Sequence, residues 1–168
     1  MAIVASRSAT QSTRRGARHP SAAKAAKAAA PTFRYVETSA LLAALLEQDA
    51  AARSALRGRR RRITSALTFT EASRALVRAR VAGRLTPADE RAGLRWLQRF
   101  RRRCDVVVVT DAVLARAGRP FPVEPIRTLD AVHLATAELL GEPPQLITVV
   151  TRDSRVIDNA RALGYAVE

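Results

Sequence analysis

Hydrophobic and polar positions along the chain follow two alternating periods, and together they predict a succession of strands and helices. "FRYVE", 33–37, is a short aromatic and branched run that predicts a strand. "SALLAALLEQDAAARSAL", 39–56, has apolar residues at three- and four-residue spacing and predicts one helix. "RITSA", 62–66, predicts a second strand, and "TFTEASRALVRARVAG" a helix that stops at Gly83. "TPADERAGLRWLQRFRRR" opens with a strong helix start: Thr86 as cap, Pro87 in the first turn, then Asp89 and Glu90. "DVVVVT", 105–110, and "QLITVVT", 145–151, are continuous apolar runs, as expected of parallel strands buried on both faces. Between them lie a short helix near 111–117, a turn at "FPVEP", and a helix over "TLDAVHLATAELLG" closed by Gly141. A helix over 153–163 and a last strand, "YAVE", complete the series. Regular alternation predicts the α/β class: a parallel β-sheet sandwiched by α-helices.

Residues 1–30 break this pattern. They carry Ser, Arg and Ala without apolar periodicity and predict a basic, disordered tail over 1–32, leaving 33–168 as one domain. Charge sharpens the division. The net charge is +14, and residues 1–34 contribute seven bases and no acid. In the remainder, "RGRRRR", 57–62, and "RFRRR", 99–103, are dense enough to suggest a polyanionic partner. Arginine on any solvated face is the plainer account, so basicity alone does not establish nucleic-acid binding. The single cysteine, Cys104, excludes an intrachain disulfide and a Cys-rich zinc site, and two histidines are too few for a His-based metal cage. No apolar run reaches the roughly 20 residues of a membrane helix. A cytoplasmic protein with no membrane association is the expectation.

The acids carry the chemistry. In open α/β sheets, sites form outside the carboxyl ends of the strands. Glu37 ends the first strand, and Glu71 lies in the first turns of the helix after the second. Asp153 follows "LITVVT", and Asp130 sits in the first turn of "TLDAVHLATA", beside Thr128 as its cap. Each alone has a plain account, compensation of a helix dipole. Together they occupy one type of junction along one sheet edge and should converge. Converging carboxylates raise one another's pKa, and a hard divalent cation, Mg²⁺ or Mn²⁺, is the natural neutraliser.

"YVETSALLAALLEQD", "TSALTFTEASRAL", "RTLDAVHLATA" and "VVTRDSRVIDNARALGYAV" resemble the successive motifs of the PIN-domain family, over roughly 33–168 and in the right order. Within it, the VapC-like toxin ribonucleases of type II toxin–antitoxin systems are the most similar. The resemblance implies a parallel sheet sandwiched by helices, with a protruding helical pair over 68–103. It implies Mg²⁺- or Mn²⁺-dependent hydrolysis of RNA, with Glu37, Glu71, Asp130 and Asp153 as metal ligands and catalytic residues. Ser39 and Thr151 would border the metal site. The partners implied are an RNA substrate and a cognate antitoxin protein, and a homodimer is expected. Glu37 departs from the family's usual Asp, so the alternative is a catalytically degenerate PIN-like RNA-binding module. A phosphatase with an aspartyl nucleophile ranks lower, because that chemistry wants Asp where Glu37 and Ser39 stand.

Other polar residues have plainer expectations. Thr38 and Ser39 read as helix caps. His133 reads as a polar residue packed between sheet and helix, Asp158 as a solvated helix acid, and Arg152 as a modest phosphate candidate. Trp96 joins an apolar stripe with Leu94 and Leu97, and Cys104 reads as a small buried residue.

Overall fold

The computed structural model describes residues 32–58 and 60–168. The expected tail therefore lies, but for Thr32, outside the described residues. In chain order the elements are β1 (Phe33–Val36), α1 (Thr38–Leu46), α2 (Ala50–Arg57), β2 (Arg61–Ser65) and α3 (Ala66–Val81). There follow α4 (Pro87–Arg101), β3 (Asp105–Val107), α5 (Asp111–Ala117) and α6 (Thr128–Glu138). The chain closes with β4 (Ile147–Val150), α7 (Ser154–Ala162) and β5 (Ala166–Val167). The five strands form one parallel sheet in the order β3-β2-β1-β4-β5. This is the α/β sandwich that the alternation predicts.

Apolar residues gather on both faces of the sheet. On one side Tyr35, Ile63, Ile147 and Val149 pack with Val113, Leu134 and Val156, which come from α5, α6 and α7. On the other, Val36 and Val150 pack with Leu41, Leu56, Leu76 and Phe100 from α1, α2, α3 and α4. Alternate residues of β1 and β4 thus serve opposite cores, as the two-residue period of a strand requires. Helices α3 and α4 are the pair expected over 68–103. Gly93 lets them approach closely: a Cβ there would stand 2.9 Å from Leu76 Cδ2.

Three expectations need correction. The helix over 39–56 is two helices. Gln48 adopts a left-handed backbone with φ of 57°, and Asp49 caps the second helix by accepting from Ala52 N at 2.9 Å. An Asx residue in front of "AAA" is a start signal embedded in an otherwise helical pattern. The "DVVVVT" run is not a strand buried on both faces. Only Asp105–Val107 pairs, at the edge of the sheet, and Val108 is 65% exposed. Four consecutive valines supply the composition of a central strand, but the strand order leaves this one a single neighbour. Cys104 is half-buried rather than buried.

Candidate active site

Register brings the carboxyl ends of the strands together. Val36 stands opposite Val150, so Glu37 and Thr151, the next residues on β1 and β4, emerge side by side. The Glu37 N–H donates to Val150 O at 3.0 Å and extends the ladder to the rim. Glu37 itself is the N-cap of α1: its Oε2 accepts from Ser39 N at 3.0 Å. Thr38 and Ser39, expected as caps, are instead the first residues of the helix.

Ser39 and Thr151 complete the seat of this carboxylate. Both hydroxyls donate to Glu37 Oε2, Thr151 at 2.9 Å, and Ser39 in a short bond. With those protons committed, each hydroxyl oxygen accepts a backbone N–H. Arg152 N reaches Ser39 Oγ at 2.7 Å, and Asp153 N reaches Thr151 Oγ1 at 3.1 Å. The junction after β4 is thereby tied to the start of α1. Oε2 is saturated, whereas Oε1 stands 3.9 Å from His133 Nε2. Glu37 is both the helix cap and a buried carboxylate at the rim, only 4% exposed.

Glu71 is held from two sides. Its Oε2 accepts from Thr38 Oγ1 at 2.5 Å and from His133 Nε2 at 2.7 Å. Burial pushes the Glu71 carboxyl up, but the bonds from His133 and Thr38 outweigh it and hold the group below its ordinary value. His133 is buried between β1 and α6, as expected, and its other nitrogen pairs with the Tyr35 hydroxyl at 3.1 Å. A neutral imidazole satisfies both contacts, with Nε2–H donating to Glu71 and Nδ1 accepting from Tyr35. Burial keeps the Tyr35 phenol protonated, raised well above its ordinary range.

Asp130 and Asp153 stand outside the cluster of Glu37, Glu71 and His133, and Asp130 is linked to it through the charge of Glu37. Asp130 comes from the first turn of α6, whose N-cap is Arg127; Thr128, expected as the cap, is already helical. Burial first, then the charges of Asp153 and Glu37, push the Asp130 carboxyl up to about 6. Asp130 Oδ2 is buried with no hydrogen-bond partner. Asp153 N-caps α7, its Oδ1 accepting from Arg155 N at 2.8 Å. Asp130, Asp153 and Glu37 thus share one electrostatic neighbourhood. Glu37, Glu71 and His133 each offer a ligand atom within 4.8 Å of the others'. The His133 nitrogen in that trio is already bonded to Glu71, so oxygen donors dominate what is free. Arg152 is less available than its position suggests, since its Nε donates to Asp49 Oδ2 at 2.8 Å.

The motifs of the sequence do not by themselves predict the Thr38–His133–Tyr35 support of Glu71. A signal existed: a histidine in the apolar face of a helix must satisfy two nitrogens, and a tyrosine two residues before Glu37 was at hand.

The PIN domain model matches residues 34–162, which run from within β1 to the end of α7 and contain all four acids. The chain belongs to the PIN domain family. Ribonuclease VapC35 of Mycobacterium tuberculosis is 38% identical over 141 residues, spanning 79% of this chain and 93% of the relative. Ribonuclease VapC46 of the same species is 39% identical over 135 residues, spanning 79% of this chain and 94% of the relative. Among solved structures, VapBC2 from Rickettsia felis, bound to a DNA fragment from its promoter, superposes with a TM-score of 0.57 at 11% identity. The match covers 81% of this chain and 97% of that one. PAE2754 from Pyrobaculum aerophilum gives a TM-score of 0.56 at 21% identity, covering 81% and 83%. Both share the PIN fold. Among the described residues no helix is long and apolar enough to cross a membrane.

Proposed function

We propose that this PIN domain is a metal-dependent endoribonuclease and the toxin of a toxin–antitoxin pair. One observation carries the reading: Asp130 presents a buried, unpartnered carboxylate oxygen within the field of Glu37 and Asp153. An orphaned anionic oxygen among like charges is costly unless a cation meets it. Hard oxygen donors from Glu37, Glu71, Asp130 and Asp153 fit Mg²⁺ or Mn²⁺. When bound, such an ion would neutralise phosphodiester charge and polarise water for in-line attack, leaving 5′-phosphate and 3′-hydroxyl ends.

The chain's own residues do the holding. Ser39, Thr151 and the α1 backbone fix Glu37, while Thr38 and His133 keep Glu71 ionised and aimed. The names of the two mycobacterial relatives support RNA as the substrate. With the VapBC2 similarity, they also support a cognate antitoxin protein as partner. A homodimer and a cytoplasmic location complete the proposal.

The purified chain is expected to cleave RNA with added Mg²⁺ or Mn²⁺ and to stop when EDTA is added. Gel analysis of a labelled RNA checks this; cleavage that persists in EDTA would refute the metal-dependent reading. The alternative, a degenerate RNA-binding module, draws on Glu37 in place of Asp. Shortening Glu37 to Asp leaves a good N-cap but retracts the carboxylate from Thr151 by one methylene. Glu37→Asp should fold and change the Mg²⁺/Mn²⁺ preference, and Glu37→Gln should nearly silence cleavage. Activity indifferent to both changes would favour the degenerate module.

We also assign residues 1–32 to a tail dispensable for the domain. A chain beginning at Thr32 should give the same thermal melt and cleavage rate at moderate salt, losing only salt-sensitive RNA affinity. Failure of that shortened chain to fold would overturn the boundary.

A further inference from the structure

The hydrogen bonds at the acid rim divide two carboxylates into a committed and an uncommitted oxygen. Glu37 Oε2 accepts from Ser39 N at 3.0 Å, from Thr151 Oγ1 at 2.9 Å and from Ser39 Oγ. Glu71 Oε2 accepts from Thr38 Oγ1 at 2.5 Å and from His133 Nε2 at 2.7 Å. A carboxylate oxygen has two lone pairs, so neither Oε2 has one to spare. Among the described residues, no donor comes within hydrogen-bond distance of Glu37 Oε1 or Glu71 Oε1; His133 Nε2 stands 3.9 Å from the former. Each glutamate therefore offers one oxygen.

The donors that impose this are themselves fixed. Thr38, Thr151 and His133 are buried, so water does not compete for their protons. The proton of His133 is directed from behind: the Tyr35 hydroxyl, 3.1 Å from Nδ1, donates there and leaves Nε2 as the protonated nitrogen. Tyr35 touches neither glutamate in these bonds and acts on Glu71 only through the imidazole. The extra methylene of Glu37 serves the same end. One oxygen caps α1 and reaches Thr151 across the rim, while the other is left over.

The number of oxygens on offer decides which cation is satisfied. Ca²⁺ gathers six to eight oxygens at about 2.3–2.6 Å and often takes both from one carboxylate. Mg²⁺ needs only an octahedron at about 2.0–2.1 Å and keeps several waters in it; Mn²⁺ shares the octahedral oxygen preference. Resting on the metal-dependent reading above, we propose that the bonds to Glu37 Oε2 and Glu71 Oε2 make this site selective for small octahedral cations against Ca²⁺. Thr38, His133 and Tyr35 are the positioning residues that set this choice at Glu71. Outer bonds of this kind orient a ligand and fix which of its atoms meets the ion.

The test uses the full chain without RNA, titrated with Mn²⁺ and then with Ca²⁺ as competitor. Electron paramagnetic resonance of free Mn²⁺ reads the occupancy, and Asp130→Asn gives the background of binding outside the site. The parent should prefer Mn²⁺ to Ca²⁺ by at least the roughly tenfold that such outer bonds are worth. Thr38→Val keeps the shape of the side chain but removes a donor to Glu71 Oε2. It should lower Mn²⁺ affinity about tenfold and leave Ca²⁺ affinity unchanged or raised, so that the preference falls by about the same factor. Tyr35→Phe should move the preference in the same direction by less, and it repeats the test should Thr38→Val disturb folding. Thr86→Val removes the same kind of bond at the exposed start of α4, from Thr86 Oγ1 to Asp89 Oδ2 at 2.6 Å, and should change neither affinity. Equal losses of Mn²⁺ and Ca²⁺ affinity in Thr38→Val and Tyr35→Phe would make these bonds structural only and overturn the proposal. A parent that holds Ca²⁺ as tightly as Mn²⁺ overturns it as well and leaves the metal-dependent reading standing. A parent that binds neither cation refutes that reading, and the selectivity with it.

Discussion

Asp130→Asn is expected to abolish RNA cleavage while leaving the protein folded. The carboxylate has one buried oxygen with no hydrogen bond to lose, and Asn preserves its shape. What disappears is a negative charge aimed among Glu37 and Asp153. Stabilisation of a phosphodiester by a correctly held divalent ion is worth several kcal/mol, and at about 1.4 kcal/mol per tenfold the loss should be on the order of 10³-fold or more. Asp153→Asn should behave alike, because Asn caps α7 as well as Asp does. Circular dichroism verifies the fold, and single-turnover cleavage at saturating Mg²⁺ or Mn²⁺ reads the activity. A mere shift in metal concentration dependence, with the full rate recovered at high Mg²⁺, would make these residues peripheral to the chemistry. Parental rates in both variants would dissolve the site.

Much of this site was legible because strand ends are legible. Tyr35 and Val36 mark a buried strand, and an acid after them can only sit at the rim. The same holds for Asp153 after "LITVVT". Placement of the strands side by side is less accessible. The four valines at 106–109 look like the centre of a sheet, yet β3 is its edge, since strand order is set by crossovers and not by local apolarity. The break at Gln48 was hidden for a related reason: one left-handed residue leaves no mark on an apolar period of 3.6. The support of Glu71 is only partly legible: a histidine on an apolar helix face needs partners, but those partners come from segments far from Glu71 and His133 in sequence. Thr38 and His133 meet it, and Tyr35 meets His133, only once β1, α1, α3 and α6 are packed. Sequence gives the charges; the hydrogen bonds that keep them ionised belong to the tertiary structure.

The same crowding should make the metal-free protein less stable as pH rises from about 4 to about 6. Asp130 titrates near 6 in the folded chain, against an ordinary value of 3.8, because burial and the charges of Asp153 and Glu37 disfavour its ionised form. Between those values the folded chain holds more protons than the unfolded one, so stability falls with increasing pH across that window. The shift alone would correspond to about 3 kcal/mol; solvent screening of a half-buried carboxyl reduces this to about 1 kcal/mol. Asp130→Asn in EDTA at pH 7.5 should therefore melt above the parent by about 3 °C. A cation that binds only the folded chain acts in the opposite sense, adding about 2.7 kcal/mol at a hundredfold excess over its Kd. The parent should gain that stability from Mg²⁺ or Mn²⁺, and Asp130→Asn should gain much less. Glu142→Gln, an exposed acid outside the cluster, should show neither effect. Thermal melts of the three proteins at pH 4.5 and 7.5, with EDTA and with metal, separate these contributions. If the parent ignores both metal and pH, and Asp130→Asn melts no higher than the parent in EDTA, the carboxylates are not held close enough to share an ion.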